Sequence, residues 1–174
     1  EFVVKCEATE NGCTSFDTYT LDIENSNPTN VCSINGKNYT TLAAALEAAQ
    51  SGDEIIVLND IDEEEGNVDV NKSFTLNTNN HTVTFGIIHG MASRTITGGG
   101  VLNTALENSN TNGSNTLTID NATLNLNGSQ WMAKGLISLV NGASVTLTSE
   151  IFLGGGDEDG FNLSIDETSS FNIN

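Results

Sequence analysis

Aliphatic residues recur down this chain in staggered columns that advance together. One column runs Leu58, Leu76, Ile96, Ile119, Leu139 and Ile165, in steps of 18, 20, 23, 20 and 26 residues. A second runs Val83, Val101, Leu124, Val145 and Phe171, in steps of 18, 23, 21 and 26, and a third follows two residues later at Leu126, Leu147 and Ile173. Strands of a β-sandwich return every 8 to 12 residues or so and have no reason to keep paired columns in step. A stack of coils has that reason, because each coil must deliver its inward residues over those of the coil before. The spacing therefore predicts an all-β solenoid of about five to six coils.

Side chains alternate across a strand, so the neighbours of the inward residues face water. They are Thr75, Thr95, Thr97, Thr118, Ser138 and Ser164 on one face, and Thr82, Thr84, Thr123, Asn125, Ser144, Thr146, Thr148, Ser170 and Asn172 on another. Corners are expected at Asn79-Asn80, Gly98-Gly99-Gly100, Asp120-Asn121, Asn141-Gly142 and Asp166-Glu167-Thr168, where Asn and Gly supply left-handed backbone. Longer excursions are expected at 86–93, 103–115, 127–135 and 153–161. Loops on such a scaffold are where binding residues collect.

Residues 38–58 open the array. Leu42, Ala45, Leu46 and Ala49 lie at i, i+3, i+4 and i+7, one apolar stripe on a helix. Thr40 or Thr41 suits its N-cap and Gly52 the left-handed residue at its end. Ile55-Ile56-Val57-Leu58 then turns to a buried strand. A short, alanine-rich helix laid close against the first strand is a cap.

These residues carry a resemblance. Tyr39-Thr40-Thr41-Leu42, Ala44-Ala45-Leu46-Glu47-Ala48-Ala49, Gly52-Asp53-Glu54-Ile55-Ile56-Val57-Leu58 and Asn71-Lys72-Ser73-Phe74-Thr75-Leu76 resemble the opening of pectate-lyase-like proteins. The match covers residues 38 to about 86 and is closest to the β-helix modules of bacterial surface and adhesin proteins. It implies a right-handed parallel β-helix behind an N-terminal capping α-helix. The expected organisation is an N-terminal extension over 1–37 with its own hairpin, the capping helix over 38–53, and coils over 54–174. The array stops within a strand, so the C-terminal coil is expected to be truncated or to self-associate through its uncapped edge. That superfamily holds lyases, hydrolases, adhesins and phage proteins, so the resemblance implies fold more than function.

Charge narrows the partners. The chain has 174 residues and a formal charge of −18, opposed only by Lys5, Lys37, Lys72, Arg94 and Lys134. Such a surface repels nucleic acid and anionic lipid. No apolar run is long enough for a membrane span. Cys6, Cys13 and Cys32 all precede the helix, and a disulfide between two of them would fit an oxidising compartment. Together these features point to an extracellular or cell-surface protein.

The expected catalytic signature is missing. Arg94, the only arginine, reads as a solvated rung-edge residue, with Arg94 and Lys134 the candidate bases if the chain is a lyase. No Asp-Asp pair lies on one strand, as a glycosidase would need. Candidate ligand contacts are Trp131, Gln130 and Lys134 in the 127–135 excursion and His89 in the 86–93 loop. Two acidic runs offer hard oxygen ligands for calcium: Asp60 and Asp62 after the first strand, and Asp157, Glu158 and Asp159 in the longest loop. No other cofactor is expected. The function expected is a non-enzymatic module for adhesion, carbohydrate or host-ligand binding, or spacing. A polysaccharide lyase or glycoside hydrolase fragment is the alternative, and an ice-binding threonine face a remote one.

Overall fold

The computed structural model describes residues 2–10, 13–21, 29–108, 114–128, 130–131, 134–148, 152–153 and 162–173. Near the N-terminus β1 (Phe2–Glu10) and β2 (Cys13–Leu21) form an antiparallel hairpin, with Phe2 opposite Leu21 and Cys6 opposite Asp17. A second hairpin joins β3 (Cys32–Ile34) to β4 (Lys37–Tyr39) through Asn35 and Gly36, both at positive φ. That is the backbone a two-residue hairpin turn requires.

Helix α1 (Leu42–Ala48) follows, and Thr41 caps it by accepting the Ala44 N–H at 3.2 Å. Leu42, Ala45, Leu46 and Ala49 are buried in the solenoid's own apolar core, as the stripe requires. Its exit differs from expectation. Ala49 is already extended, with ψ 142°, and Gly52 takes its φ of +90° three residues later, in the turn into the next strand. Lys72 donates to the Ala49 carbonyl at 2.9 Å, so a cation on the next turn secures the end of the helix.

The array itself is a β-solenoid. Its first turn is β5 (Asp53–Val57) and β6 (Ile61–Asp69), its second β7 (Phe74–Asn77) and β8 (Thr82–His89), its third β9 (Arg94–Thr97) and β10 (Val101–Asn108). Later turns divide the long second strand in two. They are β11 (Ser114–Asp120), β12 (Thr123–Leu126) and β13 (Gln130–Trp131), then β14 (Lys134–Val140), β15 (Ser144–Leu147) and β16 (Phe152–Leu153). A last coil has β17 (Asn162–Ile165) and β18 (Ser170–Ile173). Stacked neighbours from β5 onward are parallel, and β3 pairs antiparallel with β5, so this sheet begins at Cys32. Strands β7, β9, β11 and β14 each have a parallel neighbour on both sides, giving about four internal turns.

The core is built from the predicted columns, with two slips. On the first face Ile55, Leu76, Ile96, Ile119, Leu139 and Ile165 are in register. The column thus starts at Ile55, and Leu58 sits at the corner instead, its N–H on the Val31 carbonyl. On the second face Ile61, Val83, Leu102, Leu124, Val145 and Phe171 align, so Leu102 and not Val101 points inward. A one-residue slip exchanges the two faces of a strand, and Leu102 is fully buried where Val101 is not. Each such aliphatic contributes about 1.5–3 kcal/mol when fully buried.

The corners follow the polar pattern. Asn79, Asn80, Asn121 and Asn141 all adopt positive φ, the conformation Asn tolerates best among residues with a side chain. In the last coil Leu163, Ile165 and Ile173 are exposed, and no strand lies beyond β17 and β18 among the described residues. The largest departure is a third face. Residues 86–89 and 103–108, expected as excursions, are strand: the second halves of β8 and β10 stack with the end of β6 and with β13 and β16.

A polar groove where the second face meets the third

The bend between these two faces is made by stacked bulges. Glu63 pairs with Phe85 and Asn67 with Ile87, so β6 carries Glu64, Glu65 and Gly66 where β8 has Gly86 alone. Between Thr84–Asn103 and Ile87–Ala105, β8 in turn has one residue more than β10. Extra residues bend a strand and push its side chains out of the ladder. The main chains here nearly touch. A Cβ on Gly86 would strike the carbonyl oxygens of Glu64 and Gly66, so only glycine fits.

Across this bend runs an open groove of about 380 Å³. Glu64 and Glu65 stand at one end on the first turn, then Thr84, Phe85 and Gly86, then Asn103, Thr104 and Ala105, and Asn127 on the fourth turn. Four rungs at roughly 4.8 Å each make it long and perpendicular to the strands. The wall is a polar ladder: Asn125 donates to the Asn103 side-chain oxygen at 2.8 Å, and Asn103 to the Thr84 hydroxyl at 3.3 Å. Phe85 and Thr104 are buried beneath.

Beside the groove the third face presents a second row. Asp69 is opposite His89, and Glu107 opposite Gln130, so Asp69, His89, Glu107 and Gln130 occupy one column across four rungs. His89 Nδ1 lies 2.7 Å from Glu107 Oε2, with both side chains about one-third exposed. Trp131 is the next residue along, opposite Asn108. Sequence reading placed His89 and the Gln130–Trp131 pair in separate loops. The structure places them on stacked strands of one sheet, Gln130 in the register column of His89 and Glu107 and Trp131 in that of Asn108. Lys134 instead opens β14 on the first face, opposite Ser114. Glu107 and the groove were not foreseen. Inward Thr104 and Asn108 hide the period of two in Val101–Asn108, although Leu102 and Leu106 preserve it.

The acidic run after the first strand is divided among several tasks. Asp60 accepts from the Thr82 N–H at 2.9 Å and lies 3.1 Å from His81 Nδ1, which together hold its carboxyl below the usual range. Glu63 turns to α1 and accepts from the N–H groups of Leu42 at 2.6 Å and Ala43 at 3.2 Å. Asp62 is exposed in the column that continues into Thr84. Among the described residues no group of three or more His, Cys, Asp or Glu side chains is arranged to hold a metal ion. Asp157, Glu158 and Asp159 lie outside the described residues.

Two further expectations are corrected. Arg94 is not a solvated rung-edge residue: it is 1 % exposed and points inward, between Phe74 and Leu117 in register. Its guanidinium donates to the carbonyls of Ile88 at 3.1 Å, Glu107 at 3.2 Å and Gly90 at 3.4 Å, tying the first face to the third. Enclosed in this way it cannot reach a substrate on the outer surface. Cys32 is buried as a free thiol. Cys13 is opposite Glu10, four residues from Cys6, which separates the two by about 14 Å along the strand and exceeds the reach of a disulfide.

Comparison of the chain with family models, with curated proteins and with solved structures returns no match. Among the described residues no helix is long and apolar enough to cross a membrane.

Proposed function

We propose that the chain is a non-enzymatic glycan-binding module of a secreted or cell-surface bacterial protein, related to the pectate-lyase-like β-helix superfamily and its adhesin branch. The observation that carries this reading is the groove. It crosses four rungs and offers carboxylate, amide and hydroxyl groups at a regular rise, which suits an extended chain of hydroxyl-bearing rings. Asn103 and Asn127 can each exchange a water hydrogen bond for one to a sugar hydroxyl, worth about 0.5–1.5 kcal/mol apiece. Calorimetric titration with neutral oligosaccharides tests the reading. Asn103→Ala with Asn127→Ala should weaken binding about tenfold with the circular dichroism spectrum unchanged. Unchanged affinity would remove the groove as the site.

One observation favours the polysaccharide lyase or hydrolase reading as a second. His89 and Glu107 form an imidazole–carboxylate pair with Asp69 on the neighbouring rung, and such groups serve general acid–base chemistry. Incubation with pectic and neutral polysaccharides, read for unsaturated products and reducing ends with and without calcium, separates the two. Product lost in His89→Ala would establish an enzyme, and no product leaves the binding module.

A further inference from the structure

We infer that His89 and Glu107 are an oriented acid–base pair whose reacting atom is His89 Nε2, and that buried Arg94 is the residue that positions it. The inference rests on the second reading above and adds the group that holds the pair in place. A carboxylate can only accept, so the 2.7 Å contact with Glu107 fixes neutral His89 with its proton on Nδ1. Nε2 then keeps its lone pair and makes no hydrogen bond among the described residues. Asp69, in register with His89 on the other side, is held by the Asn71 amide at 2.9 Å. The same Asn71 side chain accepts from the Met91 N–H, two residues past His89.

Arg94 grips the main chain around both members of the pair. Its guanidinium donates to the carbonyls of Ile88 and Gly90, which flank His89, and to the carbonyl of Glu107 itself. A Cβ on Gly90 would strike the Val70 carbonyl and crowd the guanidinium, so glycine is what lets the chain close on it. The stack has no need of a cation at this point. In register Arg94 shares its inward column with Phe74, Leu117 and Ile137, all buried. A buried guanidinium carries a desolvation cost that those side chains avoid. It stands where β8 and β10 end, beside His89 and Glu107, and its planar fork can hold carbonyls from two strands at once.

Nitrogen-15 NMR of the imidazole rings decides the matter, because the chain has two histidines and His81→Gln assigns the other. In the unaltered protein neutral His89 should show a protonated Nδ1 and a bare Nε2. Arg94→Met, which suits the apolar column, should keep the circular dichroism spectrum and move His89 toward the Nε2–H form that a free imidazole favours. Where Arg94→Met does not fold, Arg94→Lys, which keeps the charge without the fork, carries the same test. If polysaccharide cleavage is found, the Arg94 variant should lower kcat by about tenfold to a hundredfold with KM nearly unchanged. A protonated Nε2 in the unaltered protein, or a tautomer unmoved in a folded Arg94 variant, would overturn the inference. Failure of both variants to fold would overturn it in favour of a structural tie. Cleavage of no polysaccharide, with the tautomer moving as expected, would remove the enzyme reading alone and keep Arg94 as the residue that orients the pair.

Discussion

Cys32 shows what a single residue gains from its place in the stack. It is fully buried, its thiol 3.6 Å from the Thr41 carbonyl, and burial with nearby Glu63 pushes its pKa up from 9.0 to about 12. A group whose folded pKa is raised contributes stability that is complete below its unfolded pKa and lost above it. The Cys32 contribution should therefore be lost as pH rises from 9 to 12. Above pH 10 the loss is partly offset, because burial lowers the Arg94 pKa to about 10 and the folded state can then release a proton that the unfolded chain keeps. Urea midpoints measured from pH 8 to 10 should decline, and Cys32→Ala should flatten that slope. At pH 8 peptide mapping after thiol labelling should find Cys32 modified in urea and protected in buffer. Labelling in buffer at the denatured rate would mean that the thiol is not enclosed.

At the scale of elements, α1 is a helix that its own sequence cannot support. Seven residues are too few for independent helicity, so its exposed N–H groups and its packing decide whether it forms. Thr41 satisfies one N–H and Glu63, from a strand of the first turn, satisfies two. The carboxylate also faces the positive end of the helix dipole. Glu63→Ala should cost about 1–2 kcal/mol, seen as a lower urea midpoint, with Glu63→Gln retaining part of it. An unchanged midpoint would show that packing alone holds the cap. The helix and its N-cap could be read from the sequence because the 3.6-residue stripe and Thr41 are local. The third-face strands could not. Bulges at Glu64–Gly66 and Phe85–Gly86 break the alternation that would have revealed them, and Gly86 reads as a turn residue until its closeness to the next main chain is seen.

Over the whole molecule, electrostatics is dominated by like charge. A formal −18 is spread over 174 residues, and among the described residues no lysine side chain pairs with a carboxylate; the close acid–base contacts are His81–Asp60 and His89–Glu107. Self-repulsion destabilises a compact anion and is screened as the Debye length falls from about 30 Å at 0.01 M salt to a few ångströms near 1 M. The melting temperature should rise with sodium chloride over that range. A melting temperature that falls with salt would mean that attractive pairs outweigh repulsion.

Sequence alone determined the class of fold, because a coil must repeat its inward aliphatics and its corner residues at each turn. The columns through Leu76, Ile96, Ile119 and Leu139, and the corners at Asn79, Asn121 and Asn141, are local signals repeated. Tertiary structure decided what the polar residues do. Asp60, Glu63, Glu64 and Glu65 are alike as letters, yet one meets a histidine, one a helix end, and two a groove. Arg94 reads as a surface cation and is a core tie. The partners of Asp60 and Glu63 lie 20 to 22 residues away along the chain, those of Arg94 4 to 13 residues away, and only the stacking and register of the coils bring each set together.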